Sequence, residues 1–154
     1  MIYRHSLLIA AALILPPSEA ATARPAAVSK VHYATPAQVA ARFVADFSAR
    51  HAASMAAYVA EDAAMTVPFT SNGPQVLRGR AQTSAYFTDL FGNYAKIELS
   101  GVTITPAADG RTVFVEALAR YTTAAGAAHQ VGNVWAIVVR HGLIVSSRSY
   151  AIPA

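Results

Sequence analysis

The sequence contains no cysteine among its 154 residues. Disulfide bonds, thiolate metal sites and a cysteine nucleophile are therefore excluded. The same absence excludes lipid attachment to a cysteine at the end of a leader peptide. Charged residues make up 13% of the chain, about half of the roughly 25% that soluble proteins carry. Hydrophobic residues make up 55%, which is ample apolar material for the core of one domain.

Runs of one charge and the common motifs of catalytic and cofactor sites are also missing. The net charge is +4, but the 12 lysines and arginines are scattered singly and form no basic run. The sequence therefore predicts no nucleic-acid partner. No pair of histidines has the spacing of metal ligands. The chain has neither a Gly-rich phosphate loop nor a Gly-x-Ser-x-Gly elbow. We therefore expect no metal and no cofactor.

Carboxylates, which many acid–base enzymes need, are scarce. The chain has 8 of them, and Glu19 lies in the leader segment described below. Glu116 lies inside an apolar strand, so it is the candidate for a buried carboxylate. Its alternatives are the outward face of that strand or an ion pair with Arg120 or Arg148. The other acids are expected beside arginines or at corners, turns and solvent-facing positions: Asp46, Glu61, Asp62, Asp89, Glu98 and Asp109.

Residues 1–23 have the pattern of a secretory signal peptide. A short basic start precedes the apolar run 7–15, and two prolines end that run. Small residues at a spacing of two leave cleavage after Ala20 or after Ala23 open. The run is too short for a bilayer of about 30 Å, which needs about 20 residues, so we expect no stable membrane insertion after cleavage. The predicted location is periplasmic or secreted, with an uncleaved membrane anchor as the alternative.

The folded domain is predicted from residue 35 to 154, after a flexible lead-in at 24–34. Thr35 can cap free N–H groups and Pro36 fits a first helical turn, so a helix begins there. Apolar residues then recur every four positions, as on a helix with one buried face. Helices are predicted over residues 35–50, 51–60 and 81–91.

The second half of the domain alternates apolar and polar residues with a period of two, as strands do. A short strand is predicted earlier, over 63–67, and a longer one over 97–104. Three consecutive strands follow over 111–122, 127–140 and 143–151. Helices that precede an antiparallel sheet in this way indicate the α+β class.

Several short phrases occur in an order that is typical of one family: Phe43-Val44, Ala60-Glu61-Asp62-Ala63, Pro68, Gly79-Arg80, Tyr86-Phe87, Gly126, Asn133, Trp135, Gly142-Leu143-Ile144 and Arg148-Ser149-Tyr150. Through them the chain resembles the SnoaL-like domains of the nuclear transport factor 2-like superfamily, from about Thr35 to Tyr150. The resemblance implies a cone in which a curved antiparallel sheet, with the ketosteroid isomerase-like fold, wraps around the first helix. It also implies a homodimer formed through the outer face of the sheet.

The resemblance implies catalytic positions that can be checked one by one. Ketosteroid isomerases carry an Asp before the proline after the short strand, a Tyr in the first helix and an acid in the penultimate strand. The corresponding residues here are Val67, Phe43 and, at about the third position, Trp135. Limonene epoxide hydrolases close on Arg-Asp-Tyr, where this chain has Ser149. The usual base and oxyanion donors for these reactions are therefore missing.

His129 and Glu116 remain as candidate proton carriers. Imidazole titrates near neutral pH, and by alternation His129 shares a strand face with Asn133 and Trp135. The resemblance points the Trp135 face toward the cavity of the cone. The alternative for His129 is a half-exposed position at the end of the strand. In an enzyme, Asn133 and Tyr58 would orient the substrate.

A mostly apolar cavity with few polar groups suits a small hydrophobic molecule. Three functions stay open: an exported protein that binds such a molecule, a small isomerase, lyase or hydrolase acting on a polyketide- or steroid-like substrate, and a dimerising interaction protein with a packed cavity. The sequence leaves open which face of strand 111–122 lines the cavity. The expected ligand-binding residues are Phe43, Phe47, Tyr58, Val67, Tyr86, Phe87, Asn133 and Trp135.

Overall fold

The computed structural model describes residues 33–68 and 73–153. The predicted leader, residues 1–23, and most of the lead-in lie outside the described residues, as do both predicted cleavage positions. No helix within the described ranges is long and apolar enough to cross a membrane.

Three helices and six strands make up the described part of the chain. The helices are α1 (Pro36–Ser48), α2 (Ala52–Ala57) and α3 (Gly79–Gly92). The strands are β1 (Val59–Val67), β2 (Gln75–Arg78), β3 (Lys96–Pro106), β4 (Thr112–Thr122), β5 (Ala128–Arg140) and β6 (Leu143–Pro153).

Helix α1 begins where the sequence predicts. The Thr35 hydroxyl accepts a hydrogen bond from the Gln38 N–H at 3.2 Å, and the Gln38 side chain accepts one from the Thr35 N–H at 2.9 Å. These reciprocal bonds satisfy N–H groups that have no partner inside the helix. The helix then buries one apolar stripe, formed by Val39, Ala40, Phe43, Val44 and Phe47.

Strands β1 and β2 differ from the sequence prediction. β1 begins at Val59, well before the predicted start at Ala63, and it shortens the predicted second helix. Its early part contains alanine and acidic residues, which are rare in strands, but pairing with neighbouring strands overrides such preferences. β2 was not predicted, because its four residues are too few for alternation to show.

The strands form one sheet in the order β2-β1-β6-β5-β4-β3. β1 and β6 pair in parallel, and the other neighbouring strands pair antiparallel. The predicted α+β class is confirmed, but the sheet is mixed instead of antiparallel throughout. The physical reason is that β1 and β6 are joined through most of the domain, so no hairpin turn constrains their direction.

The helices cover one face of the sheet, which is the concave face of the cone. Helix α1 packs on β3, β4 and β5, whereas α3 packs on β1 and β2. In β4 the odd-numbered residues from Val113 to Tyr121 are buried, and they face the helices. The even-numbered residues, including Glu116, lie on the outer face. The sequence leaves open which face of strand 111–122 points into the cone, and in the structure it is the face of the odd-numbered residues.

A bulge in β3 changes which residues point inward. Between Ser100 and Thr103, β3 has one more residue than its partner β4. Gly101 lies in this bulge with a φ of +61°, a left-handed conformation that favours glycine. Ile97 before the bulge and Ile104 after it can therefore both pack against the core, although one number is odd and the other even.

Arg50 ties the end of α1 to the end of α3 and the start of β3. Its guanidinium donates hydrogen bonds to the carbonyl oxygen of Ala95 at 2.8 Å and to that of Phe91. Carbonyl groups in the last turn of a helix have no partner within the helix and carry its negative dipole end. A cation at this point therefore stabilises α3 and fixes its end against α1.

Gly79 forms the sharp junction between β2 and α3. Its φ is +70°, and a Cβ added there would overlap the main-chain oxygen of Glu61. The next residue, Arg80, donates from Nε to the Val59 carbonyl oxygen at 3.1 Å and pairs with the Glu61 carboxylate at 2.9 Å. The Gly79-Arg80 phrase therefore holds the start of α3 close against β1.

We expect Gly79→Ala to lower the free energy of unfolding by about 2 kcal/mol or more. A left-handed backbone costs a non-glycine residue roughly 1–2 kcal/mol, and the overlap with Glu61 adds to that cost. Denaturant unfolding followed by circular dichroism measures the change. Gly92→Ala is the matched control, because nothing lies within 4 Å of a Cβ added there. Equal stability of the two variants would contradict the close approach.

Candidate functional site

Described residues on the concave side of the sheet line a small cavity. Its volume is about 20 Å³. One water molecule needs about 10–15 Å³, whereas small-molecule pockets span about 300–1,000 Å³. The cavity therefore has room for one water molecule and not for a ligand of ordinary size. It is lined by Phe47, Val67, Pro68, Tyr86, Leu90, Tyr121, Asn133, Trp135 and Ser149.

Aromatic rings pack against one another inside the cone. The Phe47 ring packs edge-to-face on three others, with centroid distances of 5.8 Å to Trp135, 6.0 Å to Phe87 and 5.5 Å to Phe91. Phe43 packs on Phe87 in the same way at 5.8 Å. Edge-to-face contacts of this length are the favoured geometry for aromatic pairs. The rings fill the space between α1, α3 and β5.

One wall of the cavity is polar. The Tyr121 hydroxyl is hydrogen-bonded to the Asn133 side chain, and Asn133 Nδ2 also donates to the Val131 carbonyl oxygen at 3.3 Å. Burial raises the pKa of Tyr121 to about 12, against the opposing effect of the Asn133 hydrogen bond. Burial, together with Tyr121 and Tyr94, also raises the pKa of Tyr86. Both phenols are therefore neutral near pH 7 and can donate hydrogen bonds.

Apolar side chains occupy the positions that the ketosteroid isomerases use for catalysis. Phe43 and Val67 are each 3% exposed, and Trp135 is 8% exposed. Ser149, which replaces the epoxide hydrolase acid, lines the cavity. No carboxylate is among the described side chains that line it. The cavity can offer hydrogen bonds, but these side chains give it no carboxylate base.

The two candidate proton carriers lie far from each other in the sheet. His129 is exposed near the start of β5, where its ring stacks on Tyr121 at 5.3 Å and contacts Tyr94 at 5.6 Å. Glu116 is exposed on the outer face of β4, opposite Val134. The structure thus places His129 at a strand end next to the polar wall, and Glu116 on the side of the sheet away from the cavity.

The predicted ligand-binding residues fall into three groups. Those that line the cavity are Phe47, Val67, Tyr86, Asn133 and Trp135. Phe43 and Phe87 pack in the adjoining core, and Tyr58 lies outside the cavity. Four further residues line the cavity that the sequence did not predict as ligand-binding: Tyr121, Leu90, Pro68 and Ser149. Tyr121 could have been predicted from the alternation along β4, because it has an odd number, as the buried apolar residues of that strand do.

Tyr58 belongs to a polar cluster at the surface, near the end of α1. The pKa of Tyr58 is raised by burial and by a hydrogen bond to Asp46. The Asp46 carboxylate also lies 3.5 Å from His51 Nδ1.

Within the two described ranges, no group of three or more histidine, aspartate or glutamate residues is placed to hold a metal ion.

The outer face of the sheet carries an apolar groove. Its volume is about 590 Å³. Tyr150 is 53% exposed and Ile152 is 61% exposed, and Phe114 on the same face is 42% exposed. The groove is lined by Thr66, Pro68, Pro74, Val134, Ser149, Tyr150, Ala151 and Ile152. The outer face of this sheet therefore exposes apolar side chains to solvent.

Comparison with known families gives one match. A family model described as a SnoaL-like domain matches residues 40–147. No curated protein sequence matches the chain.

Solved structures with the same fold come from several bacteria. A provisionally named isomerase from Bacillus subtilis has a TM-score of 0.68 and 21% identity, covering 77% of this chain and 86% of its own. A provisionally named polyketide cyclase from Pseudomonas putida has 0.66 and 19%, with coverages of 76% and 91%. A Catenulispora acidiphila protein of ketosteroid isomerase-like fold, in complex with trimethylamine, has 0.64 and 17%, with coverages of 76% and 86%. At these identities the similarity shows the fold alone.

Stability should fall at alkaline pH because of the buried tyrosines. A tyrosine whose pKa is higher in the folded than in the unfolded chain stabilises the fold fully below its ordinary pKa of about 10. For Tyr121 this contribution is lost as the pH rises toward about 12. Denaturant unfolding between pH 8 and 12 should show that fall, and Tyr121→Phe should make it smaller. Tyr33→Phe, at an exposed ring, should leave the fall of the unfolding free energy with pH as it is in the wild type. The same fall in Tyr121→Phe as in the wild type would contradict the burial argument.

Proposed function

This chain belongs to the SnoaL-like domain family, and from its geometry we propose that it is a dimerising interaction protein with a packed cone. Its outer sheet face binds a second copy of the chain. The observation that carries the proposal is the apolar groove of about 590 Å³ on that face, set against a cavity of about 20 Å³ inside the cone.

The exposed apolar residues form adjoining rows across the strands. Phe114 lies beside Ala136 in one row, and Val134 lies beside Tyr150 in the next. Ile152 follows in a third row, beside Gly132. The described helices pack on the opposite face of the sheet. Contiguous apolar patches of this kind mark interaction sites, because leaving them in water is unfavourable.

The charges on the same face suit a second copy as the partner. Glu116 and Arg148 lie in neighbouring rows of this apolar surface, one beside Val134 and the other beside Ala136. Both are exposed, and neither is in any ion pair among the described residues. In a two-fold interface every contact occurs twice: if one residue of the first protomer contacts a different residue of the second, the same two residues also meet with the protomers exchanged. Glu116 of one protomer can thus pair with Arg148 of the other, twice in each dimer.

Reversing one of these charges should weaken the dimer. We expect Glu116→Arg to raise the dissociation constant about tenfold or more, because like charges then face each other across the interface. Sedimentation equilibrium over a range of protein concentrations measures the constant. The double variant Glu116→Arg with Arg148→Glu should recover most of the lost affinity, since the pair is restored with its signs exchanged.

Thr88→Arg is the control, because it adds an arginine at an exposed position of α3. It should leave the dissociation constant unchanged. A protein that stays monomeric at high micromolar concentration would overturn the proposal, as would a dimer that is indifferent to Glu116→Arg.

A second candidate is binding of a small molecule inside the cone. The observation in its favour is the hydrogen-bonding wall of Tyr86, Tyr121 and Asn133 in an otherwise aromatic interior. Such a ligand would be mostly apolar with one oxygen acceptor. It would have to separate the Phe47 and Trp135 rings, because the space present is that of one water molecule.

Native mass spectrometry of the protein exported with its own leader tests the second candidate. A co-purifying molecule of constant mass, lost in Asn133→Leu, would establish the cone as a binding site. A dimer that carries no added mass would favour the packed cone. The same spectrum reports whether the chain is exported and cleaved after Ala20 or after Ala23, which is our proposal for residues 1–23.

An isomerase, lyase or hydrolase acting on a polyketide- or steroid-like substrate, as the provisional names of similar structures would suggest, has less support. Its proton carrier would be His129 or Glu116. Glu116 is on the outer face, and His129 is exposed at the end of a strand. Neither lines the cavity in which a substrate would lie.

A further inference from the structure

Another concave surface, the turn-end cavity, lies where the β3–β4 and β5–β6 turns meet the start of α1. Its volume is about 310 Å³, at the lower end of the roughly 300–1,000 Å³ of small-molecule pockets. It is some fifteen times larger than the space inside the cone, at 310 Å³ against 20 Å³. Its walls include Tyr33, Pro36, Gly110, Arg111, Arg140 and His141.

The charged lining of the turn-end cavity is basic. Arg111, Arg140 and His141 line it, and no acidic side chain is among the described residues of its lining. Neither arginine is in an ion pair within the part of the chain that the structure describes, where the pairs are His51–Asp46, Arg80–Glu61 and Lys96–Glu98. The described lining of the cavity therefore presents cationic groups to solvent, and the charge of Asp109, which lies outside that lining, acts on Arg111 without a contact ion pair.

Asp109 precedes Arg111 by two residues, but its carboxylate is occupied in closing the turn. It accepts hydrogen bonds from the Thr112 hydroxyl at 2.6 Å and from the main-chain N–H groups of Thr112 and Arg111 at 2.8 and 2.9 Å. These bonds, with those from Thr112 the strongest, lower the pKa of Asp109 to about 2. The Asp109 carboxylate thus makes these hydrogen bonds within the turn, and it interacts with the Arg111 guanidinium through charge alone.

Main-chain contacts fix the basic residues relative to one another. The Val139 N–H donates to the Arg111 carbonyl oxygen at 2.9 Å, which places Arg111 beside the segment that leads into Arg140. His141 and Gly142 have φ values of 50° and 75°, as in a tight two-residue hairpin turn. The Tyr33 ring lies 5.0 Å from the His141 ring. Two arginines and an aromatic wall therefore border one cavity.

The geometry points to a binding site for a small molecule that carries a tetrahedral oxyanion, phosphate or sulfate. A guanidinium presents a planar fork of N–H donors that matches such a group. The rings of Tyr33 and His141 would cover an organic part attached to the anion. This site is separate from the cone and from the outer sheet face.

Titration of the whole protein, followed by amide chemical shifts at constant ionic strength, tests the site. The probes are inorganic phosphate, sulfate and phenyl phosphate. We expect saturable shifts at Gly110 and Arg111 and from Arg140 to Gly142. Arg111→Ala or Arg140→Ala should weaken binding about tenfold. The affinity of Arg140→Lys should lie between those of the wild type and Arg140→Ala, because lysine keeps the positive charge but lacks the planar fork of N–H donors. His141→Asn removes the imidazole with a residue that tolerates a positive φ.

The double variant Arg42→Ala with Arg120→Ala removes two positive charges at exposed positions elsewhere, one more than either single variant, and should still bind as the wild type does. Tighter binding of phenyl phosphate than of phosphate, lost in Tyr33→Ala, would identify an organic ester as the ligand. Equal binding of the two would identify the free anion. The proposal would be overturned by non-saturating shifts, or by an equal loss of affinity in the double variant, since either means general attraction to a basic protein.

Discussion

The contact of Phe47 with Trp135 determines how much room the cone has. The two rings pack edge-to-face at 5.8 Å and join α1 to the middle of the sheet. Phe87 and Phe91 of α3 pack on the same Phe47 ring, so one side chain of α1 contacts both the other long helix and the sheet. Because protein interiors are packed as densely as organic crystals, the volume that these rings occupy is not available to a ligand. The small cavity is a consequence of this choice of side chains.

Because the described side chains leave little space inside the cone, both of our main proposals concern binding at the surface of the protein. The outer face of the sheet is apolar and carries one negative side chain, Glu116, and one positive side chain, Arg148. The turn-end cavity is basic and partly aromatic. The two surfaces are formed by different residues and would recognise different partners, one a protein face and the other a small anion. In our proposals the fold serves as the support for two external sites, because the sheet and its turns stay in place whatever fills the cone.

The ends of the helices are held by main-chain contacts that few residue types could make. Gly79 allows α3 to start against the Glu61 carbonyl, and Arg50 binds carbonyl oxygens near the other end of the same helix. Between these points α3 carries Phe87 and Phe91 into the core. The aromatic packing therefore depends on two positions outside the ring cluster, since a shift of either helix end would move the rings.

The sequence by itself determined the α+β class, the helix start at Thr35, the three long strands and the likeness to the SnoaL-like domains. These follow from local patterns: a cap followed by a proline, a period of about four, and a period of two. It also grouped eight residues as ligand-binding, and five of them line the cavity: Phe47, Val67, Tyr86, Asn133 and Trp135. Only the tertiary structure decided the parallel pairing of β1 with β6, the existence of β2 and the side of the sheet that Glu116 occupies, because each depends on strand partners distant in the chain. Cavity volume also lay beyond the sequence, since an aromatic residue that lines a pocket and one that fills it follow the same periodic pattern, and only packing separates them.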